Sequence, residues 1–377
     1  MNRSDYKRLG NYIREVDVRN RDLAVTQLVG LTIDKAFIPS VANVIGTDLS
    51  NYKVIRNKQF ACSLMQVSRD QKIPVAIFNG TEAIMSPAYP MFEVIDEQEL
   101  MPEYLMMWFA RKEFDREASF YAVGGVRGSL TWEDFTNMTL PVPSIERQRA
   151  MVAEYETLSR RIGLNRSMIA QLEATAQTLY RKMFVDDIDP EHLPSGWRMG
   201  ALTDIATYMN GTACQKYTAK SKNVLPVLKI RELSQGFCDQ NSDFVDISIP
   251  KGFIVDNGDV IFSWSASLFI DIWCGNKCAL NQHLFKVTSE VYPKWFYFLW
   301  THSHIKEWKR MISAKATSMG HIKREDLENA QVIIPAENVL KRLDVYMHPI
   351  FDLYVHKKKE NLLLTDLQSL LLTKMGQ

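Results

Sequence analysis

The chain has 377 residues, 46% of them hydrophobic and 24% charged, which suits two or three domains that each bury a core. Its net charge of +1 excludes a uniformly basic nucleic-acid binder, so any DNA contact requires cations gathered on one face. Five scattered cysteines (Cys62, Cys214, Cys238, Cys274, Cys278) argue against a disulfide framework, and the polar start Met1 to Arg8 argues against a signal peptide.

The first segment, residues 1–142, alternates strand and turn signals. Tyr52 to Phe60 reads as a hairpin around an Asn/Lys turn. Pro74 to Phe78 before Asn79-Gly80, and then Met91 to Ile95, read as strands. Pro102 to Glu117 is helical by period, with an apolar stripe through Leu105, Trp108 and Phe109. Tyr121 to Ser129 is a glycine-rich loop, and Thr131-x-x-Asp134 is a capping box that opens a short helix.

Residues 143–185 form the central feature. After Pro143-Ser144, residues at steps of three and four make a seam: Met151, Tyr155, Leu158, Ile162, Asn165, Ile169, Leu172, Ala176, Leu179 and Met183. A 3.5-residue period held over about four heptads is a coiled-coil signature, and the single Asn is a register device. At about 1.5 Å per residue the helix runs roughly 55–60 Å and needs a partner.

Residues 186–334 repeat the first segment. An acidic linker with Pro and Gly leads to Trp197, and Gly252 to Phe262 reads as strand, Asn-Gly turn and strand. Ser263 to Ser267, a strand at Leu284 to Val287, an aromatic helix from Pro293 and the loop Lys315 to His321 follow. The aromatic run Trp295 to Trp300 is too short to span a bilayer. Residues 335–377 supply the partner helix. An offset of 192 carries the seam onto Leu343, Met347, Ile350, Tyr354, Lys357, Asn361, Leu364, Gln368, Leu371 and Met375. The same offset relates Pro143 to Pro335 and Glu133-Asp134 to Glu325-Asp326. The expected fold class is therefore α+β: two tandem α/β domains, each followed by a long helix that needs a partner. If the two helices pair antiparallel about their midpoints, Asn165 faces Asn361.

No enzyme motif stands out. A phosphate loop with Lys-Ser/Thr, His-Glu-x-x-His and an Asn/Asp-Pro-Pro-aromatic motif are all missing. Cys274-x-x-x-Cys278 lacks a second ligand pair for zinc, so no metal is expected. What remains is a set of basic, polar and aromatic loop residues able to read base edges or clamp phosphates. In the first copy these are Lys35, Arg69, Lys72, Tyr121, Arg127 and Ser129. In the second they are Lys216, Lys229, Ser263, Trp264, Ser265, Gln282, His283, Lys315, Thr317, Ser318 and His321.

The whole chain resembles the specificity subunit of type I restriction–modification enzymes. The resemblance rests on Leu193-Pro-Ser-Gly-Trp197, on Leu140-Pro-Val-Pro-Ser-Ile-Glu-Arg-Gln148 running into a long helix, on Asn281-Gln-His-Leu-Phe285 and on the direct repeat. The first half departs from it by lacking a Leu-Pro-x-Gly-Trp opening, and Pro335-Ala-Glu-Asn-Val departs from the Glu-x-Gln helix entry. The resemblance implies two tandem α/β target-recognition domains separated by two long helices pairing as an antiparallel coiled coil, in a non-catalytic subunit that reads an asymmetric bipartite site in double-stranded DNA. Composition and the polar start add the expectation of a cytoplasmic protein. It implies two modification subunits that use S-adenosylmethionine to methylate adenine N6, and restriction/translocase subunits that use ATP and Mg. The rival reading is an adaptor whose duplicated domains bind protein on a coiled-coil scaffold. A third, a stand-alone DNA-modifying enzyme, would need a catalytic motif.

If the helices act as a ruler, four residues inserted near Thr175 lengthen the spacer by about 6 Å. With about 3.4 Å per base pair, the gap between half-sites is expected to grow by about one or two base pairs while both half-site sequences stay the same. Mapping the methylated sites of that variant reads the gap directly; an unchanged gap rejects the ruler.

Overall fold

The structure, a computed structural model, describes residues 6–40, 46–65, 67–123, 129–186, 188–218, 223–314 and 321–376. The chain divides into two compact units, Met1–Arg160 with Thr365–Gln377, and Arg161–Leu364.

Both units are built on the same framework. In the first, Tyr6–Arg8 pairs antiparallel with Thr139–Pro141, and an antiparallel sheet runs Ile13–Glu15, Met91–Val94, Phe60–Cys62, Val75–Ile77. In the second, Arg198–Ala201 pairs antiparallel with Gln331–Ile334, and the corresponding sheet runs Thr207–Asn210, Leu284–Thr288, Val260–Ser263, Phe269–Ile272. Strand order and direction agree element by element. Even the central cross-strand aromatic pair recurs, Phe60 opposite Phe92 and Phe262 opposite Phe285. The units differ in what is added. The first carries a hairpin, Val29–Leu31 with Phe37–Pro39, and the pair Lys53–Arg56 with Glu82–Met85. The second adds a mixed sheet ordered Phe244–Asp246, Val224–Leu228, Cys278–Leu280, Ile254–Val255.

Two expected elements are corrected. Lys53–Arg56 and Phe60–Cys62 do flank a turn, but they do not pair with each other. Their burial is continuous rather than alternating: Val54, Ile55, Phe60, Ala61 and Cys62 are all buried, so each strand is covered on both faces and recruits its own partners. The helix expected over Pro102 to Glu117 is two, Pro102–Phe109 and Lys112–Ala122. The Lys35 ammonium donates to the Phe109 carbonyl, which a continuing helix would have given to a backbone N–H one turn on. Arg111 is then extended and buried, its guanidinium 4.1 Å over the Trp108 ring. Trp132–Asn137 opens on the expected capping box, with Thr131 Oγ1 accepting from Asp134 N at 3.0 Å.

The long helices are Ile145–Phe184 (40 residues) and Glu337–Lys374 (38 residues). All ten seam positions of each helix are buried or half-buried, while their neighbours are largely exposed. In the first unit Met151, Val152 and Tyr155 pack in the same core as Leu372 and Met375, and Gln368 Nε2 donates to Ser159 Oγ at 2.6 Å. In the second unit Arg161 pairs with Glu360 at 2.6 Å, and Leu172 and Ala176 lie against Ile350, Phe351 and Tyr354. In both units rising numbers on one helix meet falling numbers on the other, which is antiparallel pairing. Arg161 and Lys357 hold the Glu360 carboxyl down to about 2. Asn165 is fully buried with its Nδ2 unpaired, and Asn361 is half-buried.

The two helix entries are tied differently. Gln148, wholly buried, accepts from Met101 N at 2.9 Å and donates to the Glu99 and Pro143 carbonyls at 2.8 and 2.9 Å. One period later Leu340 occupies that place as an apolar core residue, and Trp295 Nε1 donates to Asp344 Oδ1 at 2.7 Å instead. Gln148→Ala leaves buried backbone groups unsatisfied and is expected to destabilise the chain by about 3 kcal/mol. Arg149→Ala, on the exposed side of the same turn, should stay within about 0.5 kcal/mol. Urea unfolding of the two variants measures the contrast.

Candidate nucleic-acid interface

At one end of the second unit's four-stranded sheet, Asn210 pairs with Phe285 and Ser263 with Leu284 before the strands hand over to loops. Gly211 holds two of these together. Its N–H donates to the Leu284 carbonyl at 3.0 Å, Thr212 N donates to Leu280 O at 3.1 Å, and a Cβ at Gly211 would sit 2.2 Å from the Asn281 carbonyl oxygen. Only glycine permits that approach of two backbones.

The third loop is Trp264 to Ser267. Ala266 takes a left-handed φ of 57°, Ser265 bridges to His321, and Ile322 N donates to Trp264 O at 3.0 Å. The indole, half-buried, donates from Nε1 to Asn210 Oδ1 at 3.1 Å. Around it stand the rings of His321, Phe285 and His283, with centroids at 5.4, 5.7 and 5.9 Å. Gln282 Nε2 lies 3.4 Å from His283 Nε2, and His283 N donates to Asn281 Oδ1. Asn210, His283 and His321 are exposed. The cluster therefore offers amide, imidazole and indole groups on a backbone fixed by short-range hydrogen bonds.

Of the expected second-copy residues, Trp264, Gln282, His283 and His321 come together here. Ser263 and Ser265 sit at the same place but are buried, Ser263 Oγ donating to the Ser265 carbonyl, so they shape the loop and do not face solvent. Lys216 is exposed at the end of a short helical turn, Cys214–Lys216. Lys229 forms an exposed ion pair with Asp243 that costs little to break, so its charge remains available to a phosphate. Lys315, Thr317 and Ser318 lie outside the described residues. Asn210 was not among the expected residues; the Asn210-Gly211 dipeptide, a turn signal, could have pointed to it.

The first unit's expected residues do not converge. Lys35, at a left-handed φ of 62°, is buried, and its Nζ lies 2.7 Å from Asp115 Oδ1. Burial pushes its ammonium pKa down against the pull of Asp115. It is a structural anchor, because its ammonium donates to Asp115 and to the Phe109 carbonyl. Arg69 lies in the short helix Val67–Asp70 rather than a loop, paired with Asp70 at 2.7 Å, and Lys72 pairs with Asp34 at 3.1 Å. Both pairs are exposed and cost little to break, so these cations remain available to a phosphate. Tyr121 is on the last turn of Lys112–Ala122, exposed beside Phe120, where helical backbone replaces the expected loop. Ser129 is half-buried, and Arg127 lies outside the described residues. Among the described residues no group of acidic, His and Cys side chains could hold a metal, and no helix is long and apolar enough to cross a membrane.

Comparison with known proteins follows the same lines. Residues 194–361 match the family described as the type I restriction modification DNA specificity domain. The chain is 22% identical over 303 residues to the type I restriction enzyme MjaIX specificity subunit of Methanocaldococcus jannaschii, covering 75% of this chain and 70% of that protein. The crystal structure of a type I restriction-modification S subunit from M. genitalium superposes with a TM-score of 0.56 at 12% identity, covering 99% of this chain and 96% of that one. The HsdS subunit from Thermoanaerobacter tengcongensis gives a TM-score of 0.37 at 18% identity, over 98% and 96%. The resemblance carried by the repeat and its motifs is borne out, as is the α+β fold with its pair of long helices.

Gly211→Ala is expected to destabilise the chain by about 2 kcal/mol or more, because the new methyl meets backbone on both sides. Urea unfolding measures it, and limited proteolysis within residues 209–214 should show the junction opening.

Proposed function

We infer that this chain, whose residues 194–361 form a type I restriction modification DNA specificity domain, is the specificity subunit of a type I restriction–modification enzyme. It binds double-stranded DNA and reads an asymmetric bipartite site, one half with each unit. It performs no chemistry itself. Two modification subunits supply methyl transfer from S-adenosylmethionine to adenine N6, and restriction/translocase subunits supply ATP- and Mg-dependent steps. The assembly works in the cytoplasm, where the DNA is.

One observation carries this reading. The two units keep the same sheet order, the same flanking strand pair and the same aromatic core pair, while the residues at the loop ends of that sheet differ between them. A duplicated frame with different tips suits two readers of two different sequences, since base edges are read by side chains and the frame only positions them. An adaptor for one duplicated partner would have no use for that difference. The balanced net charge is consistent with it as well. Asp34, Asp70, Asp115 and Asp243 each pair with a basic side chain, so a total near zero coexists with local cations.

The test has two arms. Binding of the full chain to duplex DNA should weaken steeply with salt, by about 0.9 log units per tenfold salt for every phosphate neutralised. Deleting the gene should erase one bipartite class of methylated adenines from the genome. A methylation map that ignores the deletion rejects the proposal, and so does purified chain that methylates or cleaves DNA without a second polypeptide.

A further inference from the structure

We propose that Trp264 is a specificity-determining residue of the second unit, and that it reads the 5-methyl group of a thymine in the major groove. The proposal rests on the DNA-reading function above and assigns one contact within it.

The argument begins with what the indole can offer. A tryptophan side chain has a single polar group, the Nε1–H donor. Here that donor is committed to Asn210 Oδ1 at 3.1 Å, which leaves the ring with apolar surface alone. The ring is half-buried: Phe285 lies beneath it as part of the sheet, and His283 and His321 lie beside it. Its backbone is fixed by the hydrogen bond from Ile322 N and by the Ser265–His321 bridge. It is therefore a pre-positioned apolar surface at a loop tip, framed by exposed polar side chains. Among the four base-pair orientations, the thymine methyl is the apolar group that the major groove presents. A donor already satisfied within the protein cannot report on N7, O6 or O4 acceptors, so methyl contact is the readout left to it.

The comparison between units isolates the position. The registers that match Phe60 and Ala61 with Phe262 and Ser263 make Cys62 the counterpart of Trp264. Cys62 is wholly buried in the first unit's core. The pairing Glu15 with Phe92 and Asn210 with Phe285 makes Glu15 the counterpart of Asn210. The same registers place Pro90 against His283, and the repeat offset of 192 places Ser129 against His321. Four neighbouring tip positions thus change together, on sheets that keep the same strand order and the same central aromatic pair. A change needed only for packing would have left one half-buried ring. The Asn210 amide that orients the indole, and the two exposed imidazoles that flank it, are additions directed at solvent.

The experiment uses the full chain with its modification subunits. The recognised site is taken from the methylated adenines that disappear when the gene is deleted. The half belonging to the second unit is the one that changes when residues 186–334 are replaced by another such domain. Each thymine of that half-site is then replaced singly by deoxyuridine, which removes the methyl and keeps every hydrogen-bonding group. One replacement is expected to weaken binding about fourfold, the worth of one buried methyl-sized group. Trp264→Ala should bind the thymine and uracil duplexes equally, and its methylation map should relax at that one base pair while the other half-site stays intact. Trp264→Phe, which keeps an apolar ring, should retain the preference for thymine, and thermal unfolding of both variants checks that they fold. The proposal is overturned if the half-site holds no thymine, if no uracil substitution matters, or if Trp264→Ala shows the same penalty as the parent. A methylation map that does not depend on the gene removes the DNA-reading function itself, a result distinct from all three.

Discussion

The structure depends on covering one long seam. Nine apolar positions and one asparagine at a 3.5-residue period on the first long helix leave water against the second long helix and against the two sheet domains. The consequence is visible inside each unit. The first unit's core takes in Met151, Val152 and Tyr155 from one helix and Leu372 and Met375 from the other. The second takes in Ala176, Tyr180 and Phe184 with Leu340, Met347 and Phe351. Each sheet domain therefore completes its core with turns from both helices, so the helices belong to the cores as much as to each other. Pro349 illustrates the strength of that constraint. It sits inside Glu337–Lys374, where a proline ordinarily breaks a helix, yet Met347, Ile350 and Phe351 are all packed and the helix continues.

Duplication then frees the tips to diverge. The framework positions have partners in the core and cannot change alone, as the stacked Phe60–Phe92 and Phe262–Phe285 pairs show. Residues past the strand ends answer only to their own loop. The second unit uses that freedom to assemble Asn210, Trp264, His283 and His321, and the first keeps Glu15, Cys62, Pro90 and Ser129 at the corresponding places. The helix entries diverge in the same way. A buried glutamine joins three backbone groups in one copy, and a buried leucine with a tryptophan–aspartate bond replaces it in the other.

Charge is distributed with similar economy. Lys35 is drawn into the protein to end one helix and meet Asp115 on the next, which removes it from any surface role. Arg69 and Lys72 keep exposed partners that a phosphate could displace, since such pairs contribute about 1 kcal/mol or less. A residue's type therefore says little about its availability. The partner across the fold decides it.

The sequence by itself determined the architecture. Periods of 3.5 residues and a repeat offset of 192 are properties of the linear order, and they required two long helices and two similar domains before any coordinate was known. The capping box at Thr131 and the turn at Asn257-Gly258 are equally local and were legible for that reason. What only the tertiary structure decided are matters of who meets whom. Lys53–Arg56 and Phe60–Cys62 look like a hairpin because adjacent strands often pair, but their partners are Glu82–Met85 for the one and Val75–Ile77 and Met91–Val94 for the other. The carbonyl left free where the helix breaks before Arg111 is met by Lys35, far off in sequence. Ser263 and Ser265 read as surface serines until the sheet buried them, and Asn210 gained its place only when the fold carried it to Trp264, 54 residues on. Periodicity records which face of an element is apolar; it holds no record of which distant side chain will arrive there.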